Sequence, residues 1–509
     1  MSSPAWAVGP PDDRWRADGP PPGPSAADLA ALLGDWPARG SGSLAARLAF
    51  SLRSRILADL LPAGCALPPE RTLARALAVS RSTLAAALDL LRSDGLLVSR
   101  QGSGTRVASL PPGDRPVSSP TMAARLLGAA ERGINFGISA PPAAAQLPAL
   151  GVTSADLLAA VPAHGYEPAG LVVLRAALAA RHTAAGLPTA TGEIHVTHGA
   201  QHAIDLALAT LAEPGDAVAV EDPTYPGVLD VITARGLRPV PLAGDARGPT
   251  PAGLEDAVRR HGVRLAFLLP AVHNPTGRVL DPGRRQALAR ALDRLDLTVV
   301  EDNTLADLTF PPLGPAPAGG PEAGRPPSLA MLCRRAMVVT VETTSKVAWG
   351  GLRVGWLRAS AGVIERSVGR RTSGDLGCSV PAQLLALQLL DHYDELIAAR
   401  RRALQATAAR FAALLAEAIP GCAFQPPAGG LSLWVRLPGG ADAAAFASRA
   451  LRHGVSVAPG TFASPTGGHD HVRLCHDRPD EELVEGAARL AAAWSETTPG
   501  PTGRISPRP

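Results

Sequence analysis

From about Gly133 onward, short Val- and Leu-rich runs alternate with longer apolar-faced segments, and this alternation restricts the fold more than any other feature of the 509-residue chain. The runs are Ile194 to Thr197, Ala217 to Glu221, Leu265 to Pro270, Thr298 to Glu301 and Met337 to Val341. Strands that alternate with helices pair most simply as a mostly parallel sheet, with the helices covering both faces. In such a sheet a ligand sits at the carboxyl ends of the strands. An unusual residue follows each of the five runs, so the chemistry is expected along that one edge.

The first run leads into His198-Gly199-Ala200-Gln201-His202-Ala203, a strand-to-helix turn whose backbone N–H groups suit a phosphate. After the second comes Asp222-Pro223-Thr224-Tyr225-Pro226-Gly227, which offers an aromatic face, and after the third His273-Asn274-Pro275-Thr276-Gly277, which offers an amide. The fourth ends in Glu301-Asp302-Asn303-Thr304, a carboxylate at a strand end. Beyond the fifth stand Lys346 and, seven residues on, Arg353. Lys346 is the only lysine among the chain's 49 lysines and arginines. A guanidinium stays charged, whereas a desolvated lysine amine can lose its proton and attack a carbonyl. A composition so poor in lysine could leave its one survivor anywhere; the residues at the other strand ends give this one weight.

A phosphate cradle, an aromatic face, an amide, a carboxylate and a reactive lysine are what pyridoxal 5'-phosphate requires of a protein. The segment resembles the fold-type-I aminotransferases over nearly its whole length. The resemblance implies that Lys346 is the Schiff-base lysine, Asp302 the partner of the pyridine nitrogen, Asn274 the donor to the ring hydroxyl and Tyr225 the stacking ring. It implies that Ala200, Gln201, Thr343 and Arg353 hold the phosphate. Tyr166, in Tyr166-Glu167-Pro168-Ala169-Gly170, matches a tyrosine that reaches a partner subunit's cofactor phosphate, implying a homodimer with shared sites. Arg473, in Val472-Arg473-Leu474, matches the arginine that holds an amino acid's carboxylate, a bidentate task. Thr304 stands where relatives have a tyrosine, and losing that phenol should weaken transamination while leaving cofactor binding intact. His469, His471, Cys475 and His476 flank Arg473 without zinc-finger spacing, so no metal is expected there.

The net charge of +4 is unevenly placed. Between Gly42 and Ala108 nine arginines face four acids, a local net of +5 that leaves the remainder near neutral. A small basic module suggests an anionic partner, most commonly nucleic acid, with an arginine-rich solvated face as the alternative. Leu44, Leu48, Leu52, Ile56 and Leu60 form one helical stripe, which Pro62, Gly64, Pro68 and Pro69 end. Glu70 to Leu77 gives a second helix, and Ser80 is a natural cap for a third that runs to about Asp94. Two short strands around Gly102-Ser103-Gly104 complete a winged helix-turn-helix, whose third helix enters a DNA major groove. Leu67-Pro68-Pro69-Glu70-Arg71-Thr72-Leu73, Val79-Ser80-Arg81-Ser82-Thr83-Leu84, Leu90 to Leu96 and Gln101-Gly102-Ser103-Gly104-Thr105 resemble the GntR class of bacterial repressors. By that resemblance Arg71, Ser80, Arg81, Ser82, Thr83 and the wing residues Gln101 and Gly102 face double-stranded DNA. Pro69 replaces a usual capping serine, and Ala85 a basic contact of some relatives.

Residues 1–42, rich in Pro, Gly and Ser around Trp6, Trp15 and Trp36, are expected to be a disordered extension; 109–133 reads as a linker and 496–509 as a tail. No apolar run of membrane-spanning length and no secretion signal is present, and the five scattered cysteines suit a reducing cytoplasm. A winged helix (43–108) followed by an α/β aminotransferase-like domain (134–495) resembles the MocR subfamily of GntR regulators. The implied function is a DNA-binding transcriptional regulator in which pyridoxal phosphate, or its adduct with an amino acid or amine effector, shifts a dimer between DNA-binding states. The alternative is a catalytically active aminotransferase carrying an accessory winged helix.

Overall fold

A computed structural model describes residues 23–38, 43–57, 60–62, 64–93, 96–100, 104–108, 133–161, 164–311 and 324–496. These form two compact units. One holds the described residues up to Asn135 together with Ala444–Ser456 and 493–496; the other holds Phe136–Ala443 and Val457–Ala492. The division departs from a domain running without interruption over 134–495. Ile134–Asn135 pair in parallel with Val455–Ser456, and the Phe446 ring meets Trp494 edge-on at 5.8 Å, which ties those later segments to the first unit.

The first unit contains α1 (Ala26–Leu33), α2 (Leu44–Leu57), α3 (Glu70–Ala76), α4 (Arg81–Ser93) and a hairpin of β1 (Leu97–Arg100) and β2 (Gly104–Val107). The α1 helix corrects the expectation of disorder up to residue 42. Ser25 accepts the Asp28 N–H at 3.1 Å while Asp28 reaches back to Ser25, a reciprocal cap. Leu29 and Leu33, one turn apart, and Trp36 are then buried in one core with Leu48, Leu52, Leu73, Leu84, Leu88 and Leu91. Composition taken over the whole extension hides those three anchors among prolines and glycines. Residues 1–22 and 39–42, with Trp6 and Trp15, lie outside the described residues, as do 109–132 of the linker and 497–509 of the tail. The α2 stripe is narrower than its periodicity suggests: Leu48 and Leu52 are fully buried, but Leu44 is 44% exposed and Leu60 lies past the helix end.

The second unit is built on a seven-stranded sheet: β3 (Ile194–Thr197), β4 (Ala217–Val220), β5 (Arg238–Pro241), β6 (Leu265–Leu268), β7 (Thr298–Asp302), β8 (Val338–Thr343) and β9 (Gly355–Arg358). Its order is β3-β9-β8-β7-β6-β4-β5. All pairs are parallel except those of β9, which runs antiparallel to both β8 and β3. Two apolar layers sandwich the sheet, one around Ile204, Leu208, Val228, Ile232 and Phe267, the other around Leu254, Ala266, Leu288, Leu292 and Val299. Strands buried on both faces explain the uninterrupted apolar runs. A second sheet pairs β10 (Ser432–Arg436) and β11 (Ala458–Pro459) with a central β12 (His471–Cys475), all antiparallel. No described helix is long and apolar enough to cross a membrane.

Candidate cofactor site and nucleic-acid face

The carboxyl ends of β3, β4, β6, β7 and β8 carry the expected residues. Gly199, at φ +79°, turns β3 into the helix Ala200–Leu211, whose N-terminus no side chain caps. That positive φ is what calls for glycine, and a Cβ there would also crowd the Arg353 guanidinium at 3.2 Å. Arg353 itself has φ +54° and donates to the His198 carbonyl at 2.7 Å. Tyr225 donates from its hydroxyl to Gln201 Oε1 at 2.9 Å, and Gln201 Nε2 donates to the Gly227 carbonyl at 2.8 Å. With the Gln201 amide spent on fixing the Tyr225 ring, what Gln201 and Ala200 can offer an anion is backbone N–H in the first helical turn. Thr343 is buried and donates to the Val354 carbonyl at 2.9 Å, with Ser345 Oγ also at 2.9 Å. Ser345, next to the lysine, was not singled out from the sequence.

Asp302 ends β7 in a buried position, where its Oδ1 accepts the Thr304 N–H at 2.9 Å. Burial raises its carboxyl above the ordinary range, offset in part by Thr304 and by the Lys346 charge. Lys346 is half-buried and donates to the Ser139 carbonyl at 2.6 Å. Burial is also the main effect on Lys346, lowering its pKa against the opposing pull of Asp477, Cys475 and Asp302. A lysine so desolvated is nearer to the neutral, nucleophilic form. Arg473, in β12, donates to the Gly137 carbonyl at 2.6 Å and to Asn274 Oδ1 at 3.3 Å, while its Nε is buried without a hydrogen-bond partner among the described residues. The Asn274 turn is braced from behind by buried Glu221, which accepts the Leu269 N–H and pairs with Arg278 at 2.8 Å.

Among the sequence candidates Tyr166 stands apart. It is 56% exposed, with its ring beside His164 at 5.6 Å, and makes no bond to the other candidates. The residues flanking Arg473 do not converge either: His471 stacks on Trp434 at 5.1 Å and bonds Asp470, whereas His476 is buried against Thr407. A different trio comes closer to metal-ligand spacing. His198 Nε2 and His202 Nε2 lie 3.6 and 3.7 Å from Asp375 Oδ2. Yet His202 Nδ1 accepts the His198 N–H at 3.2 Å, which leaves the ring proton on Nε2, the reverse of a metal-binding imidazole. The other Asp375 oxygen serves Arg371 and the Gly377 N–H. Burial, and then the Arg371 charge, lowers both histidines, His202 to about 4, so the trio is a carboxylate shared by an arginine and two neutral rings.

In the first unit Ser80 takes its capping role, accepting the Thr83 N–H at 3.0 Å and contacting the Ser82 and Thr83 hydroxyls at 2.8 and 2.7 Å. Arg71, Ser80, Arg81 and Ser82 are exposed and Thr83 half-buried. Arg71, Arg75 and Arg81 enter no ion pair among the described residues. Three other arginines serve the fold: Arg92 bonds Asp89, Glu70 and Ser99, Arg106 the Gly64 carbonyl and Arg47 the Pro37 carbonyl. Gln101 and Gly102, the expected wing residues, lie outside the described residues.

Residues 131–490 match the family described as aminotransferase class I and II. The chain belongs to that family. Residues 44–107 match the bacterial regulatory proteins of the gntR family, so this family member carries a DNA-binding domain in front, the arrangement of the MocR subfamily. The chain is 31% identical over 309 residues to the 2-aminoadipate transaminase of Thermus thermophilus, covering 59% of this chain and 75% of that one. With the HTH-type transcriptional regulator TauR of Rhodobacter capsulatus it shares 29% identity over 491 residues, 89% of this chain and 97% of the relative. Among solved structures, the α-aminoadipate aminotransferase LysN of Thermus thermophilus, complexed with N-(5'-phosphopyridoxyl)-L-leucine, superposes with a TM-score of 0.63 at 26% identity, over 76% of this chain and 97% of that one. Pyridoxal 5'-phosphate is the cofactor of such a domain. The residues present fit it: a lysine, a buried carboxylate, a glycine turn that only an unsubstituted backbone allows, and a buried arginine with an unused donor.

Proposed function

We propose that the protein is a pyridoxal-phosphate-binding transcriptional regulator whose aminotransferase-like domain senses the cofactor, or the cofactor joined to an amino compound. The observation that carries this reading is the coexistence, in one chain, of a capped recognition helix with unpaired Arg71, Arg75 and Arg81 and a strand edge gathering Lys346, Asp302, Asn274 and Arg473. When bound, the cofactor supplies an aldehyde and an electron-withdrawing ring. In the proposed assignment Lys346 offers the amine that captures the aldehyde, Asp302 faces the ring nitrogen, Asn274 the ring hydroxyl and Tyr225 the ring face. Ala200 and Gln201 through backbone N–H, with Thr343 and Arg353, take the phosphate. Arg473 takes the carboxylate of an amino acid effector; its buried unused Nε supports that role. Tyr166, exposed on this chain, is available to reach a second subunit's phosphate, which favours a homodimer with shared sites. The absence of any membrane-spanning helix among the described residues fits a regulator acting in the cytoplasm.

The test is the mobility of DNA from the gene's own upstream region, with and without pyridoxal phosphate, at fixed salt. Retarded DNA whose affinity changes with cofactor supports the reading, and no retardation in either state defeats it. A second reading, a working aminotransferase with an accessory winged helix, is favoured by the intact Lys346, Asp302 and Arg473 set. Sustained conversion of an amino donor and a keto acceptor by the purified protein would support it. A single spectral change without turnover would return the weight to regulation.

A further inference from the structure

We propose that Asp222 is a positioning residue: its carboxylate latches the loop that leads into β12 onto the turn that carries Tyr225, and so fixes where Arg473 stands relative to the cofactor ring. The inference rests on the proposed assignment of Tyr225 to the ring face and of Arg473 to an effector's carboxylate. Asp222 lies two residues past β4 and three before Tyr225.

The loop, residues 460–470, joins β11 to β12 and folds back on itself. Gly468 has φ +74°, and a Cβ there would meet the Gly460 backbone at 2.7 Å, so the two arms of the loop touch. A Cβ on Gly460 would meet the Trp434 ring at 2.9 Å, and that ring also stacks with His471, the first residue of β12. A compact loop with joined ends, seated on β10, behaves as one body with the strand it feeds.

Its far side meets the Asp222 turn. Ser464 donates to Asp222 Oδ1 at 2.5 Å, Thr466 donates to Oδ2, and the Thr224 N–H donates to the Ala463 carbonyl at 2.7 Å. Ser464 also accepts the Gly467 N–H at 2.8 Å, which orients its hydroxyl proton toward Asp222. Each carboxylate oxygen therefore holds one hydroxyl of the loop, and hydrogen bonds to an ionised acceptor are about twice as strong as neutral ones. Ala463 and Ser464 are buried at this contact.

The latch matters because of what lies on either side of it. The Asn274 turn is tied to the second sheet by Ser432, which donates to the Pro275 carbonyl at 3.0 Å, and by Arg473 at Asn274 Oδ1. The Asp222 turn is tied to the same sheet through the loop. Ala458 of β11 pairs in register with Arg473, so the loop departs from a strand beside that arginine and returns in the strand that bears it. In the proposed assignment one turn supplies the amide and the other the ring face, and the two ties together set Arg473 against both. Bidentate grip on a carboxylate is sensitive to such placement, whereas the phosphate and ring nitrogen are held elsewhere.

The test separates the amino-acid part of a ligand from its cofactor part. Full-length cofactor-free protein is titrated with pyridoxamine 5'-phosphate and with N-(5'-phosphopyridoxyl)-L-alanine, a stable adduct that adds the carboxylate, each followed by tryptophan fluorescence. Wild type should prefer the adduct. In Ser464→Ala/Thr466→Val, which removes both hydroxyls and leaves Asp222 in place, that preference should shrink about tenfold while affinity for pyridoxamine 5'-phosphate stays within about twofold. Asp222→Ala should do the same. Asp222→Asn, whose amide can accept one hydroxyl and donate to the other, should recover most of the preference. Hydrogen exchange of the cofactor-free double variant should be about tenfold faster over 460–468 and unchanged in the seven-stranded sheet. Thr466→Val alone, at an exposed position, carries the same comparison should the double variant not fold. A folded variant with unchanged loop exchange, or with an unchanged preference for the adduct, overturns the proposal while leaving the cofactor reading in place. Wild-type protein that binds both compounds alike defeats the carboxylate role of Arg473 and the proposal with it, and one that binds neither defeats the cofactor reading itself.

Discussion

The exposed arginines of the first unit and the buried arginines of the second are used in opposite ways. In the helix-turn-helix, Arg71, Arg75 and Arg81 stand in solvent without an acid among the described residues. In the aminotransferase-like unit, Arg284, Arg285, Arg371 and Arg473 are buried and wired to main-chain oxygens: Arg371 to Val196 at 2.6 Å, Arg285 to Pro270 at 2.7 Å, Arg284 to Pro249 at 2.8 Å and Arg473 to Gly137 at 2.6 Å. An arginine that meets a polyanion keeps its donors free and releases counterions on binding. One that organises loops satisfies carbonyls that would otherwise be buried unpaired. A chain with 48 arginines therefore cannot be read by counting charge; position decides whether each cation is a contact or a strut. Lys346 belongs to neither class in the proposed assignment, where its use depends on being able to lose its charge.

The contrast breaks most visibly at Lys346. Lys346→Ala should remove the cofactor absorbance band completely, because no other lysine exists to replace it. Lys346→Arg should fail equally, which would separate chemistry from charge. Next in size is Arg371→Ala. It strips the Val196 and Pro168 carbonyls, the Asp375 carboxylate and the Cys378 sulfur of one shared cation, and should lower stability by about 3 kcal/mol or more in urea unfolding. A cost below about 1 kcal/mol would mean that buried arginines in this unit are interchangeable with surface ones.

Much of this was legible in the sequence because of how the forces act. The strands β3, β4, β6, β7 and β8 announce themselves as unbroken apolar runs, since both faces are buried, and the candidate site residues follow at their carboxyl ends. Two strands gave no such signal. β5 is Arg-Pro-Val-Pro, an edge strand in which proline is tolerated because one side needs no partner, and β9 is a four-residue antiparallel insertion, Gly-Trp-Leu-Arg. The α1 helix was hidden by composition, since three apolar anchors in a proline-rich stretch are enough once another core receives them. Beside Lys346, Ser139 was invisible: it acts through its carbonyl, which any residue has. The Gln201 side chain was legible as a site residue, but its bond to Tyr225 was not.

A smaller effect tests whether buried charge in the second unit costs stability. Burial raises the Asp477 carboxyl from its ordinary 3.8 to about 6, so the folded protein binds that proton more tightly than the unfolded chain. The associated stability is present below the ordinary carboxylate range and is lost as pH rises through about 6, a swing on the order of 3 kcal/mol at most. Asp477→Asn imitates the protonated form. It should be more stable than wild type at pH 7.5 and converge with it near pH 4. The buried His195 and His476, each lowered to about 3, have the opposite sign: they stay neutral in the fold and lose stability as pH falls below the usual histidine range. Present in both proteins, they cancel in the difference. An Asn variant less stable at pH 7.5 would mean that attraction to Lys346, Arg400 and Arg478 outweighs desolvation.

The smallest effect is within the first unit, where the comparison can be repeated between two arginines of one helix. Arg81 begins α4, is exposed and bonds to no described acid; Arg92 ends it, bonded to Asp89, Glu70 and Ser99. Arg81→Ala should weaken DNA binding by about 1–3 kcal/mol and leave thermal unfolding unchanged. If Arg81 contacts a phosphate, the slope of log affinity against log salt should flatten by about 1 and every sequence should suffer alike. If it reads a base edge, the loss should concentrate on the operator. Arg92→Ala should do the reverse, lowering the melting temperature of the domain while changing the salt slope little, because its charge is already spent on the fold. A matched loss of salt slope in both variants would show that the ion pairs of Arg92 open on DNA, and that the line between contact and strut is drawn by the partner rather than by the fold.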